Sequence, residues 1–180
     1  TESTQPVNFA ETQDYYVEGG AEVQISNSVR FRAQASVRRR DSDSIYGGFG
    51  AYETDLDTVS VSPQVVIEEE VLGLENHLTI GFDYEENDIG IPDQASPQVA
   101  RISKEDYGYF IYEEIAPWEG VFLSAGYRYD RAFFSVDSSD YNQEIILDEN
   151  LYTVGLTYRV NSNFDGYSSF SRGFRYPVLD

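Results

Sequence analysis

Apolar and polar positions alternate along much of the chain, most clearly between residues 121 and 130. Every second residue from Val121 onward is aliphatic or aromatic, whereas most of the residues between them are polar or small. Successive side chains of a β-strand point to opposite faces, so this period of two predicts a strand between an apolar medium and a polar one. The segment therefore indicates a sheet with two very different faces.

Eight strands follow from the same alternation. They are predicted at residues 12–26, 29–38, 56–71, 78–84, 105–115, 121–134, 152–160 and in a segment that begins at 164. The fifth strand is the least readable, because apolar or small residues stand on both of its faces between 107 and 112. Pro63 interrupts the third strand, and since proline cannot donate a backbone hydrogen bond, we expect an edge, a bulge or a displaced bond there.

Short and long connections alternate between these strands. Tight turns are expected at 27–28, 72–77, 116–120 and 161–163, and long loops at about 41–55, 87–104 and 135–149. In an antiparallel meander this order puts every tight turn at one rim and every long loop at the other, an asymmetry typical of outer-membrane barrels. The chain is therefore predicted to be all-β, an antiparallel up-and-down transmembrane β-barrel whose apolar stripes face lipid and whose polar stripes face a lumen.

Composition argues against several classes of function. The chain carries 32 acidic and 12 basic residues, a formal net charge of -20, which argues against nucleic-acid binding because phosphate recognition needs a basic surface. It has no cysteine and one histidine, His77, so neither a thiolate or histidine metal site nor a serine, histidine and aspartate triad is expected. No apolar run approaches the ~18 residues of a spanning helix. We predict a protein that is not an enzyme and has no cofactor.

Three stretches resemble TonB-dependent outer-membrane receptors. They are residues 125–130, 155–161 and 167–177, the last of which is similar to the family's aromatic and serine strand ending in Ser, Arg, Gly, Phe, Arg, x, Pro. The three stretches occur in the family's order and are separated by hairpins of the expected length. The chain therefore resembles part of the barrel wall of that family.

The resemblance implies a barrel of about 22 strands around an N-terminal plug. Residues 1–180 would supply about eight strands of a single barrel domain, and nothing in them resembles the plug, the transducer-binding segment or the closing strand. The implied function is active transport of a scarce nutrient, such as a ferric siderophore, across the outer membrane of a Gram-negative bacterium. The implied partners are that small molecule, outer-membrane lipid and lipopolysaccharide, and a TonB-type energy transducer that acts through parts absent from this chain.

Candidate ligand-contacting residues lie in and beside the first predicted long loop. They are Arg38, Arg40, Tyr46, Phe49 and Tyr52. Guanidinium groups match the carboxylates or phosphates of an anionic ligand, and loop aromatics spaced by glycines can close over a planar one. The alternative for the arginines is pairing with nearby aspartates or with acidic lumen residues. The alternative for the aromatic residues is packing against one another.

The residues leave two other classes of protein open. A self-contained eight-stranded outer-membrane barrel with an anchoring or adhesion role fits the chain length, although residues 178–180 lack the terminal aromatic residue that such barrels usually carry. A soluble lectin-like β-sandwich requires the apolar faces to meet each other.

Overall fold

The described part of the chain folds into one eight-stranded sheet. The computed structural model describes residues 9–46, 50–92, 99–138 and 142–174. Its strands are β1 (Phe9–Gln24), β2 (Val29–Tyr46), β3 (Gly50–Val71), β4 (Leu74–Pro92), β5 (Val99–Trp118), β6 (Val121–Asp137), β7 (Asn142–Asn161) and β8 (Phe164–Arg172). Within these ranges, no helix is long and apolar enough to cross a membrane.

Every strand pairs antiparallel with the strand next to it in sequence, in the order β1 to β8. Among the described residues, β1 and β8 each have a single neighbour, so the sheet is open. The prediction of an all-β, antiparallel, up-and-down wall is confirmed. The described strands form neither a closed eight-stranded barrel nor the two stacked sheets of a sandwich.

The prediction of long loops is wrong for most of their length. Much of 41–55, 87–104 and 135–149 is strand, and Asp41 pairs with Asp55 just as Arg101 pairs with Asp137. The alternation of apolar and polar residues fades in these segments. An antiparallel strand with water on both faces needs only a hydrogen-bonded neighbour, not an apolar stripe, so the ladder continues where the sequence signal stops.

The tight turns all lie at one edge of the sheet, as predicted, and we call this the short-turn edge. They are formed by residues 25–28, 72–73, 119–120 and 162–163. The turn predicted at 72–77 is shorter, because β4 already begins at Leu74. Its two residues, Leu72 and Gly73, have φ angles of 56° and 79°, the left-handed conformation that a two-residue type I′ hairpin requires. The opposite edge is called the far edge.

Pro63 interrupts the ladder on one side only. The register between β2 and β3 is continuous through the pair Ala33 and Pro63. Between β3 and β4 the register passes from Val61 to Gln64, and Ser62 and Pro63 have no partner. The ladder is thus interrupted at this proline on the β4 side, and it resumes in the same register, without a bulge.

One face of the sheet, the apolar face, changes from apolar to polar at one position in each strand. The apolar stripe that starts near the short-turn edge ends at Tyr15, Val37, Val59, Tyr84, Tyr107, Tyr129, Tyr152 and Phe170, and beyond it single apolar residues such as Phe133 and Ile146 recur among polar ones. The next residues on that face are Gln13, Arg39, Asp57, Glu86, Glu105, Arg131, Asn150 and Arg172. Below the boundary most strands stay apolar for about nine residues, close to the length that crosses a hydrocarbon layer at a tilt. Most of the boundary residues are aromatic, as in an interfacial belt.

This boundary also measures the tilt of the strands. From β1 to β8 it moves toward the short-turn edge by about ten residues across seven strand pairs. At about 3.3 Å per residue and 4.8 Å per strand spacing, the displacement and the sheet width are both about 33 Å. The strands therefore cross the apolar layer at about 45°, the inclination of transmembrane barrels. About eight residues of most strands project beyond it at the far edge.

Candidate functional site on the polar face

The other face of the sheet, the polar face, is crossed by ion pairs between strands. In the described ranges, every basic residue except Arg101 forms an ion pair. Strand alternation places Arg101 on the apolar face, beyond its boundary. An anionic ligand on the described part of the polar face must therefore compete with an internal carboxylate or use a site with surplus positive charge.

Such a surplus exists where Arg38 and Arg40 share Asp14. Both arginines lie on the polar face of β2, and Asp14 stands opposite Arg40 on β1. Arg38 is ion-paired with Asp14, and Arg40 Nε lies 3.4 Å from Asp14 Oδ2. The hydrogen bond from Arg38 lowers the pKa of Asp14 to about 2, so all three groups are charged at neutral pH. Together they carry one net positive charge.

Arg39 lies on the opposite face. Strand alternation puts it at the boundary of the apolar face, where its Nε is 3.3 Å from Asp41 Oδ1. Both local pairing alternatives considered for the arginines thus occur, one with an adjacent aspartate and one with an acidic residue of the neighbouring strand. The run 38–40 is divided between two environments by strand alternation.

The aromatic candidates Tyr46 and Tyr52 lie at the far edge of the first hairpin. Tyr46 ends β2, and Tyr52 lies in β3 two residues after that strand begins. Ser44 pairs with Tyr52 and Tyr46 pairs with Gly50. Phe49 lies outside the described residues. The backbone thus places Tyr46 and Tyr52 on the same side of the apolar boundary as Arg38 and Arg40, but farther along the ladder, about 13–20 Å beyond Arg40 at about 3.3 Å per residue.

A bridge across β5 links two strands that are not neighbours. Arg128 of β6 is ion-paired with Asp83 of β4, and its Nε donates to Asp130 Oδ1 at 2.6 Å. The side chain passes over Gly108 of β5, where a Cβ atom would lie 2.6 Å from both Arg128 Cζ and Asp130 Oδ1. The absence of a side chain at Gly108 therefore permits the bridge. Sequence alternation places all these residues on one face but does not reveal the contact.

Beside this bridge the polar face forms a groove of about 390 Å³. Its walls include Phe110 and Tyr112 of β5 and Leu151 of β7, and Gly126 of β6 forms its floor. A Cβ atom at Gly126 would lie 2.9 Å from Thr153 Cγ2. The groove exists because large side chains on two strands flank a strand that has none at that position. This also explains the unclear fifth strand, since its aromatic residues are divided between both faces.

The most buried side chains of the sheet form a cluster that the sequence prediction missed. Ile89, Ala132 and Phe134 lie on the polar face beyond the apolar layer, together with Lys104, which is 7% exposed. Lys104 Nζ lies 5.7 Å from the centre of the Phe134 ring and is ion-paired with Asp106, whose pKa is raised by burial. The signal was present as apolar residues at every second position of 132–136, a stretch that the sequence prediction divided between strand and loop at residue 135.

His77, the single histidine, lies near the short-turn edge with its Nδ1 atom 3.8 Å from Glu68 Oε1. The described ranges contain no group of three or more side chains arranged to hold a metal ion. The polar face thus offers charges, hydrogen bonds and aromatic surface, which are means of binding a molecule.

The family of this chain is shown by its sequence. Residues 3–180 match the model of the β-barrel of TonB dependent receptor-like proteins, and the chain belongs to this family. The resemblance stated from residues 125–130, 155–161 and 167–177 is thereby confirmed. The members of this family are transport receptors of the outer membrane rather than enzymes. No curated protein matches the chain.

Solved structures with the same fold are distant in sequence. The ferric-catecholate import receptor Fiu from E. coli K12 matches with a TM-score of 0.78 and 9% identity, over 91% of this chain and 36% of that one. The ferric citrate transporter FecA matches with a TM-score of 0.78 and 11% identity, over 89% of this chain and 27% of that one. The FrpB iron transporter from Neisseria meningitidis matches with a TM-score of 0.77 and 18% identity, over 94% of this chain and 30% of that one. The chain spans about a third of the length of these proteins, and the likeness concerns the fold.

Proposed function

We propose that this chain is part of the wall of an outer-membrane active-transport receptor for a scarce nutrient such as a ferric siderophore, in a Gram-negative bacterium. A TonB-type system supplies the energy through parts of the receptor other than these residues. The match to the TonB dependent receptor-like family over residues 3–180 carries the proposal. The two-faced sheet and its tilt of about 45° support it, because both suit a wall between lipid and a polar lumen.

Residues 1–180 belong, in this proposal, to a single barrel domain that contains no plug. All described strands form one continuous meander, which supports one domain. The wall closes only by pairing with further strands, since an unpaired edge in lipid leaves backbone groups without hydrogen-bond partners. The apolar face then meets lipid and, beyond its boundary, lipopolysaccharide.

The ligand, in this proposal, meets the polar face between the apolar boundary and the far edge. Arg38 and Arg40 attract a negatively charged complex through the surplus charge around Asp14, and Tyr46, Phe49 and Tyr52 supply aromatic surface nearby. The geometry of Arg38, Asp14 and Arg40 supports the first part. The backbone positions of Tyr46 and Tyr52 beyond the same boundary support the second.

The orientation of the wall is tested by cysteine labelling. The chain has no cysteine, so a cysteine introduced into a full-length receptor without other accessible thiols reports on one position. Cysteines that replace Asp43 or Glu53 at the far edge are expected to react with a membrane-impermeant maleimide on intact cells. Cysteines that replace Asn27 or Ser162 at the short-turn edge are expected to react only after the outer membrane is opened. The reverse pattern contradicts the proposed orientation.

The role of the arginines is tested by comparing Arg40→Gln with Arg39→Gln in the full-length receptor. The two changes remove the same charge from adjacent residues on opposite faces. A charge-assisted hydrogen bond contributes about 1.5–3 kcal/mol, so Arg40→Gln is expected to weaken binding about ten-fold or more. The measurement is saturation of cells with radioactive iron, supplied in turn as ferric catecholate and ferric citrate complexes. Equal effects of the two changes contradict a ligand site on the polar face.

A further inference from the structure

A row of aliphatic side chains crosses the polar face beyond the apolar layer. Four successive strands contribute one residue each, and each residue stands directly opposite the next in the ladder: Leu56, Ile89, Ile102 and Val136. We call these four residues the aliphatic row. All of them lie at least three residues beyond the boundary of the apolar face on their own strands. Because the row lies on the other face of the sheet, lipid that meets the apolar face does not reach it.

The aliphatic row begins beside the surplus positive charge of the candidate site. Arg40 stands directly opposite Leu56, and Asp14 stands opposite Arg40 on the other side. Neighbouring strands lie about 4.8 Å apart, so the row extends from about 5 Å to about 19 Å from Arg40 across the sheet. A cationic group and an apolar surface therefore lie side by side within the reach of one small molecule.

The row has a buried base and a surface that water still reaches. Ile89 is 6% exposed and belongs to the buried cluster around Phe134. The other three members, Leu56, Ile102 and Val136, are only half-buried. Packing within the sheet thus accounts for Ile89, whereas the remaining side chains keep apolar area that a ligand can cover.

The combination favours one chemical class of ligand. Apolar area removed from water stabilises a complex by about 25 cal/mol per Å², and pockets for small molecules combine apolar walls with a few polar groups that fix orientation. An anion with aromatic rings on its outer surface places its charge at Arg38 and Arg40 and its rings on the aliphatic row. A compact, strongly hydrated anion leaves the row in water.

We propose that the ligand is an anionic iron complex with aromatic rings on its outer surface, and that Leu56 and Ile102 are specificity-determining residues that contact those rings. This inference rests on the proposed function, which supplies the iron complex. It adds the chemical class of that complex and extends the candidate site from β2 to β5.

The ligand class is tested with two radioactive iron complexes on cells that display the full-length receptor. One is the ferric complex of a synthetic tris-catecholate chelator, which is aromatic, and the other is ferric citrate, which is not. The aromatic complex is expected to saturate the receptor at a concentration lower by about ten-fold or more. Energy-dependent uptake of ferric citrate with equal or higher affinity overturns this inference and leaves the proposed function standing. The absence of saturable uptake of either complex overturns both.

The role of the row is tested with Leu56→Asn and Ile102→Asn, and Ile146→Asn is the matched control. Ile146 is also aliphatic and lies beyond the boundary, but on the opposite face, where it is 51% exposed. Each row variant is expected to weaken binding of the tris-catecholate complex about ten-fold, and the control is expected to leave it unchanged. The readout is the half-saturating concentration, which does not depend on how much receptor folds. Unchanged affinity in both row variants, or an equal loss in all three variants, overturns the role of the row.

Discussion

Replacement of Gly108 by valine is expected to destabilise the receptor by about 1–3 kcal/mol, the range for overpacking in a closely packed site. The space above Gly108 is already filled by the guanidinium of Arg128 and the carboxylate of Asp130, each within 2.6 Å of where a Cβ atom would stand. A valine there forces Arg128 to leave Asp83. The loss should appear as a lower denaturant midpoint in detergent, followed by the mobility shift between folded and unfolded barrel on a gel.

Gly19→Val is the matched control, because no atom lies within 4 Å of the Cβ position at Gly19. This substitution is expected to leave the denaturant midpoint nearly unchanged or to raise it slightly, since valine favours strand conformation. A smaller side chain at position 128, in the double variant Gly108→Val with Arg128→Ser, should recover part of the lost stability. Equal destabilisation by the two glycine substitutions contradicts the role of Gly108 as a passage for Arg128.

Alternation predicted the part of the fold that meets two different media. Residues 121–130 are correctly divided, and the structure adds only that β6 continues to Asp137. The tight turns were also predictable, because turn residues interrupt a strong period of two at short intervals. Both features are local, so a single sequence contains the information.

The segments beyond the apolar boundary were not predictable in the same way. Asp41 and Asp55 sit opposite each other in a ladder, although aspartate is depleted in strands. Their strand conformation depends on a partner strand at the same height, which a local pattern does not reveal. The loop prediction failed there for that reason.

The candidate site shows the same division between local and long-range information. Alternation alone predicts that Arg38 and Arg40 share one face of β2 and that Arg39 lies on the other. Their partner Asp14 could not be predicted in this way, because its position depends on the register between β1 and β2. The contact between Arg128 and Asp83 joins residues on strands that are separated by a third strand. It is possible because Gly108 has no side chain, and no local pattern in the sequence distinguishes this glycine from the others.

Replacement of Leu156 by arginine is expected to have the largest effect of any single change considered. Leu156 lies on the apolar face of β7, midway between Tyr152 and Val160, and is exposed on that face. If that face meets lipid, an arginine at the middle of the hydrocarbon layer costs about 2–4 kcal/mol. The expected result is a lower yield of folded receptor in the outer membrane and a lower denaturant midpoint for the fraction that folds in phospholipid vesicles.

Thr157→Arg provides the control, since it adds the same side chain one residue further along the strand. Thr157 lies on the polar face between Phe122 and Tyr167, and an arginine there keeps contact with water in the lumen. The expected change in stability is within about 0.5 kcal/mol, as for ordinary surface substitutions. A penalty of similar size at both positions means that the two faces do not meet different media, and a larger penalty at Thr157 means that the assignment of lipid and lumen is reversed. Either outcome removes the physical basis for placing this sheet in the wall of a transmembrane barrel.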